Sequence, residues 1–188
     1  MIRRPPRSTQ FNSSAASDVY KRQDSVANKF ERMPMKWINI RFRYLRCLRR
    51  YEYVVNCKPT LFIVRKQLLR LILSQLSVKS GIQIPINTFG KGLYLPYHGT
   101  IVVNETARFG DFCVVQAGVN VSANVCGGNH IYFGTGCKIM KNVEIADDVI
   151  IGANAVVTKS VFEQNIVVAG IPAKKINNNG YRDRKNAI

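Results

Sequence analysis

Residues 103–161 read VNETARFGDFCVVQAGVNVSANVCGGNHIYFGTGCKIMKNVEIADDVIIGANAVVTKSV. Val103, Phe109, Val115, Val121, Gly127, Phe133, Ile139, Ile145, Ile151 and Val157 stand six apart, and all but Gly127 are apolar. Four residues after each comes a second row, Ala107, Cys113, Val119, Val125, Ile131, Cys137, Val143, Val149, Ala155 and Val161, all small or apolar. A helix would repeat near 3.6 residues and an ordinary strand at two. A period of six is that of a parallel β-helix, in which each repeat supplies one short strand and one turn. Both rows are then predicted to point inward and to stack on their equivalents one coil above and below. Each fully buried Val, Ile or Phe contributes about 1.5–3 kcal/mol. No repeat can bury its own face, so stacking is obligatory. Gly110, Gly134 and Gly152, directly after first-row residues, and Asn and Asp at outer positions (Asn120, Asn124, Asn142, Asp147, Asp148, Asn154) suit the turns.

The regular region does not fill the chain. Residues 1–23 (MIRRPPRSTQFNSSAASDVYKRQ) have no hydrophobic period and no apolar core of a secretory signal. They resemble a translated sequencing adapter or cloning scar, with a transit peptide as the alternative, and are expected to be disordered. Residues 24–80 form a basic helical region. Ile40, Tyr44, Cys47, Leu48 and Tyr51, together with Trp37, recur at three and four, interleaved with arginines, over about 34–56. Pro59 breaks this pattern, and Leu61, Val64, Leu68, Leu71, Ile72 and Leu76 begin a second helix over about 60–77. Such a hairpin could cap the open end of the solenoid. The β region runs over 81–176, and its frame slips by two residues around Tyr97-His98-Gly99-Thr100. Slips in a repeat mark bulges or loops that often carry function. The tail, 177–188, is polar and expected to fray.

Composition narrows the function classes. The net charge of +17 is uneven: residues 1–78 hold 17 Lys/Arg against 4 Asp/Glu, and residues 79–188 hold 11 against 7. The plain reading of the basic half is a solvated helical face; a membrane or partner surface is the alternative. Nothing matches a nucleic-acid-binding module. No apolar run reaches a membrane span. The five cysteines, Cys47, Cys57, Cys113, Cys126 and Cys137, show no CxxC spacing, which argues against a zinc site and a disulfide framework and fits a cytoplasmic location. No metal is expected.

LYLPYHGTIVVNETARFGD (93–111), GANAVVTKS (152–160) and VVAGIPAKKI (167–176) resemble the bacterial hexapeptide-repeat acyltransferases. Within these the likeness is to the serine O-acetyltransferase family, in the form found in polysaccharide gene clusters, and it covers about residues 35–176. The resemblance implies a mainly β fold, a left-handed parallel β-helix with an N-terminal α-helical hairpin. It implies a homotrimer with acetyl-CoA as co-substrate in the groove between solenoids, and a small-molecule hydroxyl acceptor. The family's general base maps to His98, ahead of Gly99-Thr100-Ile101-Val102-Val103. The residue that orients that base, an Asp in the family, falls on Gln83, fifteen positions earlier. Related sequences more often read HYGT where this chain reads Tyr97-His98-Gly99-Thr100, and the Gly-rich loop of the serine enzymes is absent between Val121 and Phe133.

Acyl transfer from a thioester to a hydroxyl needs a base that takes the hydroxyl proton, a step typically worth 10²–10⁴-fold. His98 is the candidate for it. Candidate cofactor contacts are the backbone at Gly134, Gly152, Ala153, Ala169 and Gly170, and Lys174 and Lys175 toward the CoA phosphates. His130 could contact substrate or serve only a turn, and Cys126 is outward and incidental. The acceptor readings are L-serine first and a sugar hydroxyl of capsule or lipopolysaccharide second. A non-catalytic trimeric scaffold is the reading from another class.

Overall fold

The computed structural model describes residues 14–29, 38–57 and 63–184. Three helices come first, α1 (Ser14–Ala27), α2 (Ile40–Cys57) and α3 (Ile63–Ser80). They precede twelve short strands: β1 (Ile82–Gln83), β2 (Ile101–Val103), β3 (Val114–Val115), β4 (Asn120–Val121), β5 (Cys126–Gly127), β6 (Tyr132–Phe133), β7 (Lys138–Ile139), β8 (Glu144–Ile145), β9 (Ile150–Ile151), β10 (Val156–Val157), β11 (Val167–Ala169) and β12 (Lys174–Asn177).

The strands stack into three faces of a parallel solenoid. Face one is β1-β2-β4-β7-β10 and face three is β3-β6-β9-β11 with β12 at its end. Face two is β5-β8, extended by bridges from Phe89 to Phe109, Arg108 to Cys126 and Ile145 to Val161. In the regular part the partners stand eighteen residues apart, as in Asn120 with Lys138, Cys126 with Glu144 and Tyr132 with Ile150. One coil is therefore three hexapeptides. The only antiparallel pair among the described strands is β11 with β12.

Both rows of the repeat point inward. Every first-row residue from Val103 to Val157 is buried, and so is the second row from Ala107 to Ala155, leaving Val161 half-buried at the last coil. The one polar-sized gap in the first row, Gly127, has a packing reason. A Cβ there would stand 2.4 Å from Phe109 Cδ1 and 2.6 Å from Ile131 Cδ1. The Phe109 ring fills that space, stacked on Phe89 at 4.8 Å and edge-on to Phe133 at 5.1 Å.

The helices close the first coil. Phe42, Tyr44, Leu45, Leu48 and Leu76 join the same core as Ile82, Leu93 and Leu95. A buried polar network fixes the docking. Arg49 Nε donates to Asp24 Oδ2 at 2.7 Å and Arg49 Nη1 to Glu52 Oε2 at 2.9 Å. The same guanidinium donates to the carbonyls of Phe89 (3.0 Å) and Gly90 (2.5 Å). Tyr44 Oη accepts from the Ile84 N–H at 2.9 Å and donates to the Ile84 carbonyl. Glu52 Oε1 accepts the Asn87 N–H at 2.8 Å.

Two expectations change. Ser14–Gln23 are helical where composition suggests disorder over 1–23; residues 1–13 lie outside the described residues. The helix is held at its far end, where Asp24 Oδ1 accepts the Leu93 N–H and the Asn28 amide bonds both the Leu93 carbonyl and the Leu95 N–H. The tail also does not fray at Asn177. Gly180 N–H donates to Asn165 O and Tyr181 N–H to Asp148 O, each 2.9 Å, while Arg182 pairs with Asp148 at 2.7 Å. These contacts join residues far apart in sequence, so local polarity does not reveal them. Residues 185–188 lie outside the described residues.

Candidate active site

The edge where face three turns into face one collects most of the candidate residues. Stepping by eighteen from His98 reaches Gln116, Gly134 and Gly152, and the next coil, one residue shorter, sets Ala169 over Gly152. Backbone hydrogen bonds bind this column together: Gly99 N–H to Ser80 O (3.0 Å), Gly118 N–H to Thr100 O (2.7 Å), Gly136 N–H to Ala117 O (2.9 Å) and Asn154 N–H to Thr135 O (2.8 Å). Strand spacing of ~4.8 Å puts Gly134 about 10 Å, Gly152 about 14 Å and Ala169 about 19 Å above the His98 level.

His98 sits where the coil is irregular. Tyr94 to Val102 spans eight residues, whereas the equivalent Val114 to Asn120 spans six. The two extra residues push Tyr97 and His98 outward, and both are exposed. The loop is nevertheless anchored. Arg41 Nη1, from the start of α2, donates to the Leu95 carbonyl at 2.6 Å and also to the Pro96 carbonyl. On the far side, Ile101 N–H donates to Gly81 O at 2.9 Å. Burial pushes the Arg41 pKa below the usual arginine range, with Tyr94 and Tyr97 opposing it. Neither Arg41 nor Gln116 stood out in the sequence. Gln116 is findable only by counting eighteen from His98; its amide donates to Tyr132 Oη at 3.0 Å one coil above.

Gln83 lies on β1, one coil below β2 and opposite Val102, with its side chain outward. No hydrogen bond joins it to His98 among the described residues. The small residues above the histidine form a tight wall. A Cβ on Gly134 would meet Ile151 O at 2.6 Å and Ala153 N at 2.7 Å, and one on Gly152 would meet Ala169 Cβ at 2.8 Å. The surface along this column is thus mostly backbone, which suits close approach of an extended chain. Lys174 is exposed and pairs in register with Ala169 at the top of the column. Lys175 is engaged in an ion pair with Glu163.

His130 belongs to a different edge. Its ring stacks between Phe112 (5.7 Å) and Tyr181 (5.9 Å), and its Nδ1 lies 3.3 Å from Asp148 Oδ1. These contacts make it a structural residue that docks the tail. The thiols of Cys113 and Cys137 are each pushed up to about 12 by burial, so neither offers a thiolate nucleophile near neutral pH.

The eighteen-residue coil, the inward rows and the helical cap define a hexapeptide-repeat parallel β-solenoid. No family model matches the chain. Its sequence is similar to the serine acetyltransferase of Synechococcus elongatus, 31% identical over 121 residues, covering 59% of this chain and 49% of that protein. It is likewise 33% identical over 121 residues to the serine acetyltransferase of Staphylococcus epidermidis, covering 59% and 56%. The structure matches the crystal structure of the Brucella abortus serine acetyltransferase in complex with coenzyme A, with a TM-score of 0.71, 25% identity, and coverage of 89% of this chain and 70% of that one. The chain is thus serine O-acetyltransferase-like in sequence and fold, and it spans about half the length of the curated relatives it matches.

Proposed function

We propose that this chain is an acetyl-CoA-dependent O-acetyltransferase, with L-serine as first acceptor and His98 as general base. One observation supports the reading: Gly134, Gly152 and Ala169 stack along the edge of the solenoid at whose foot the His98 loop lies. The pantetheine arm would run down this column past Ala153 and Ala169, with Lys174 near the phosphates. Lys175 would join only by giving up Glu163. An imidazole nitrogen of His98 takes the acceptor's hydroxyl proton as the oxygen attacks the thioester carbonyl. The C–S bond then breaks, and the imidazolium returns the proton to the departing thiolate. Gln83, in register with Val102, is the candidate partner of that imidazole by resemblance.

An edge of a prism is convex, so a single chain walls the arm on one side only. A second solenoid beside it would form the groove, which supports a homotrimer. The relatives of known structure include an enzyme in complex with coenzyme A, which supports the cofactor. A sugar hydroxyl is the second acceptor reading. Coils of eighteen continue without insertion from Val121 through Phe133, so no added loop encloses a small amino acid there.

The test is CoA release from acetyl-CoA with L-serine, then with a panel of sugars and nucleotide sugars. Serine-dependent release that disappears in His98→Ala supports the proposal. Release with a sugar alone moves the acceptor to polysaccharide chemistry. Silence with every acceptor, in a protein that still assembles, favours a scaffold.

A further inference from the structure

α3 carries two apolar faces, and the solenoid covers only one. Leu76 is buried, and Leu69 and Leu73 pack against the core. On the opposite face Val64, Leu68, Leu71 and Val78 are 83%, 56%, 64% and 81% exposed. Steps of four and three connect them through Gln75, so they form one continuous stripe along the helix. An exposed stripe of this kind marks an interaction surface.

The charges around the stripe select the partner. α3 contains Arg65, Lys66, Arg70 and Lys79 and no acidic residue. On a helical wheel Lys79 and Arg65 stand to one side of the stripe and Arg70 to the other, while Lys66 falls beside Leu73 on the far face. In neighbouring α2, Arg43 and Arg50 are exposed, while the only acid, Glu52, is buried. Among the described residues of α2 and α3, the exposed charges are therefore all of one sign. A second copy of α3 would bring further cations against it and no acid to answer them. A surface that is apolar beneath and anionic above answers both features. No helix among the described residues is long and apolar enough to cross a membrane. At 1.5 Å per residue, α3 is about 27 Å long, and basic residues beside an apolar stripe suit a helix lying in the plane of a bilayer.

We propose that the outward face of α3 docks the protein on an anionic phospholipid surface. Val64, Leu68, Leu71 and Val78 enter the interface between headgroups and acyl chains. The flanking Lys and Arg pair with lipid phosphates.

The experiment is flotation of the full chain with vesicles of phosphatidylcholine alone and of phosphatidylcholine mixed with phosphatidylglycerol. Sedimentation velocity and circular dichroism are run on each variant. The expected result is flotation with the mixed vesicles only, weakening as salt is raised. Arg70→Gln with Lys79→Gln lowers partitioning about thirty-fold, at roughly 1 kcal/mol for each cation near the surface. Leu68→Gln with Leu71→Gln abolishes flotation while the helix content and assembly size stay unchanged. Absence of flotation with anionic vesicles overturns the proposal. So does flotation that is unaffected by the leucine pair. A smaller assembly in the leucine variant also overturns it, because the stripe would then be an interface between copies. None of these readouts depends on acetyl transfer.

Discussion

His98 stands at the point where the coil departs from its period, and its worth to the chemistry is measurable. Replacing it with Ala removes the imidazole but none of the backbone hydrogen bonds around it. Turnover is expected to fall by about 10²–10⁴-fold, while thermal stabilisation by CoA persists. Equal loss of CoA binding would place the histidine in the cofactor site instead. A second residue-scale prediction concerns the one gap in the inward row. Phe109 fills the space left by Gly127 and touches Phe89 and Phe133. Phe109→Ala should cost about 3–5 kcal/mol in urea unfolding. Gly127→Val, which forces a side chain into a filled space, should cost about 1–3 kcal/mol. A stable Gly127→Val protein would show that the gap is not filled as described.

At the scale of elements, the helices are docked by a buried cluster with one guanidinium between two carboxylates. Asp24, Arg49 and Glu52 are all nearly inaccessible. Arg49→Met would leave two carboxylates without their cation, and a loss of about 3–5 kcal/mol is expected. The pH dependence has a definite sign. Burial raises the pKa of Asp24 and of Glu52 above the ordinary carboxylate values, and Arg49 only partly offsets it. The folded state thus holds protons more tightly than the unfolded chain. This cluster's contribution is fully present below the unfolded carboxylate pKa of about 4 and is lost as pH rises through the raised folded values. Glu52→Gln should flatten that slope in unfolding free energy measured from mildly acid to neutral pH. An unchanged slope would mean that other groups set it. The sequence shows these helices by their apolar spacing, but not the cluster. Asp24, Arg49, Glu52 and the carbonyls of Phe89 and Gly90 meet only after the chain has folded back on itself.

At the scale of the whole molecule, each coil supports its neighbours, so damage to one turn spreads. Gly134 approaches the backbone of Ile151 and Ala153 too closely for any Cβ. Gly134→Ala should therefore displace the coil above. Its melting temperature is expected to drop, with loss of CoA stabilisation along the same edge. A variant that keeps both would remove the tight wall from the site. The register makes this edge continuous. Eighteen residues per coil return the chain to the same corner at Gln116, Gly134 and Gly152, and a seventeen-residue step then brings Ala169 over Gly152.

The sequence by itself determined the solenoid, because a period of six applied over ten repeats leaves only one way to bury both apolar rows. It also marked the loop at Tyr97–Thr100, where the period slips, as it does again at the last coil, where Ile150 pairs with Val167 seventeen residues on. Only the tertiary structure decided how the ends are held. The docking of α1 through Asp24 and Asn28, the tail on Asp148 and His130, and the Arg41 clamp on Leu95 and Pro96 are contacts between residues with no common spacing. A repeat is legible because its contacts recur at a fixed interval. A single long-range hydrogen bond recurs nowhere, and the chain must fold before its partners can meet.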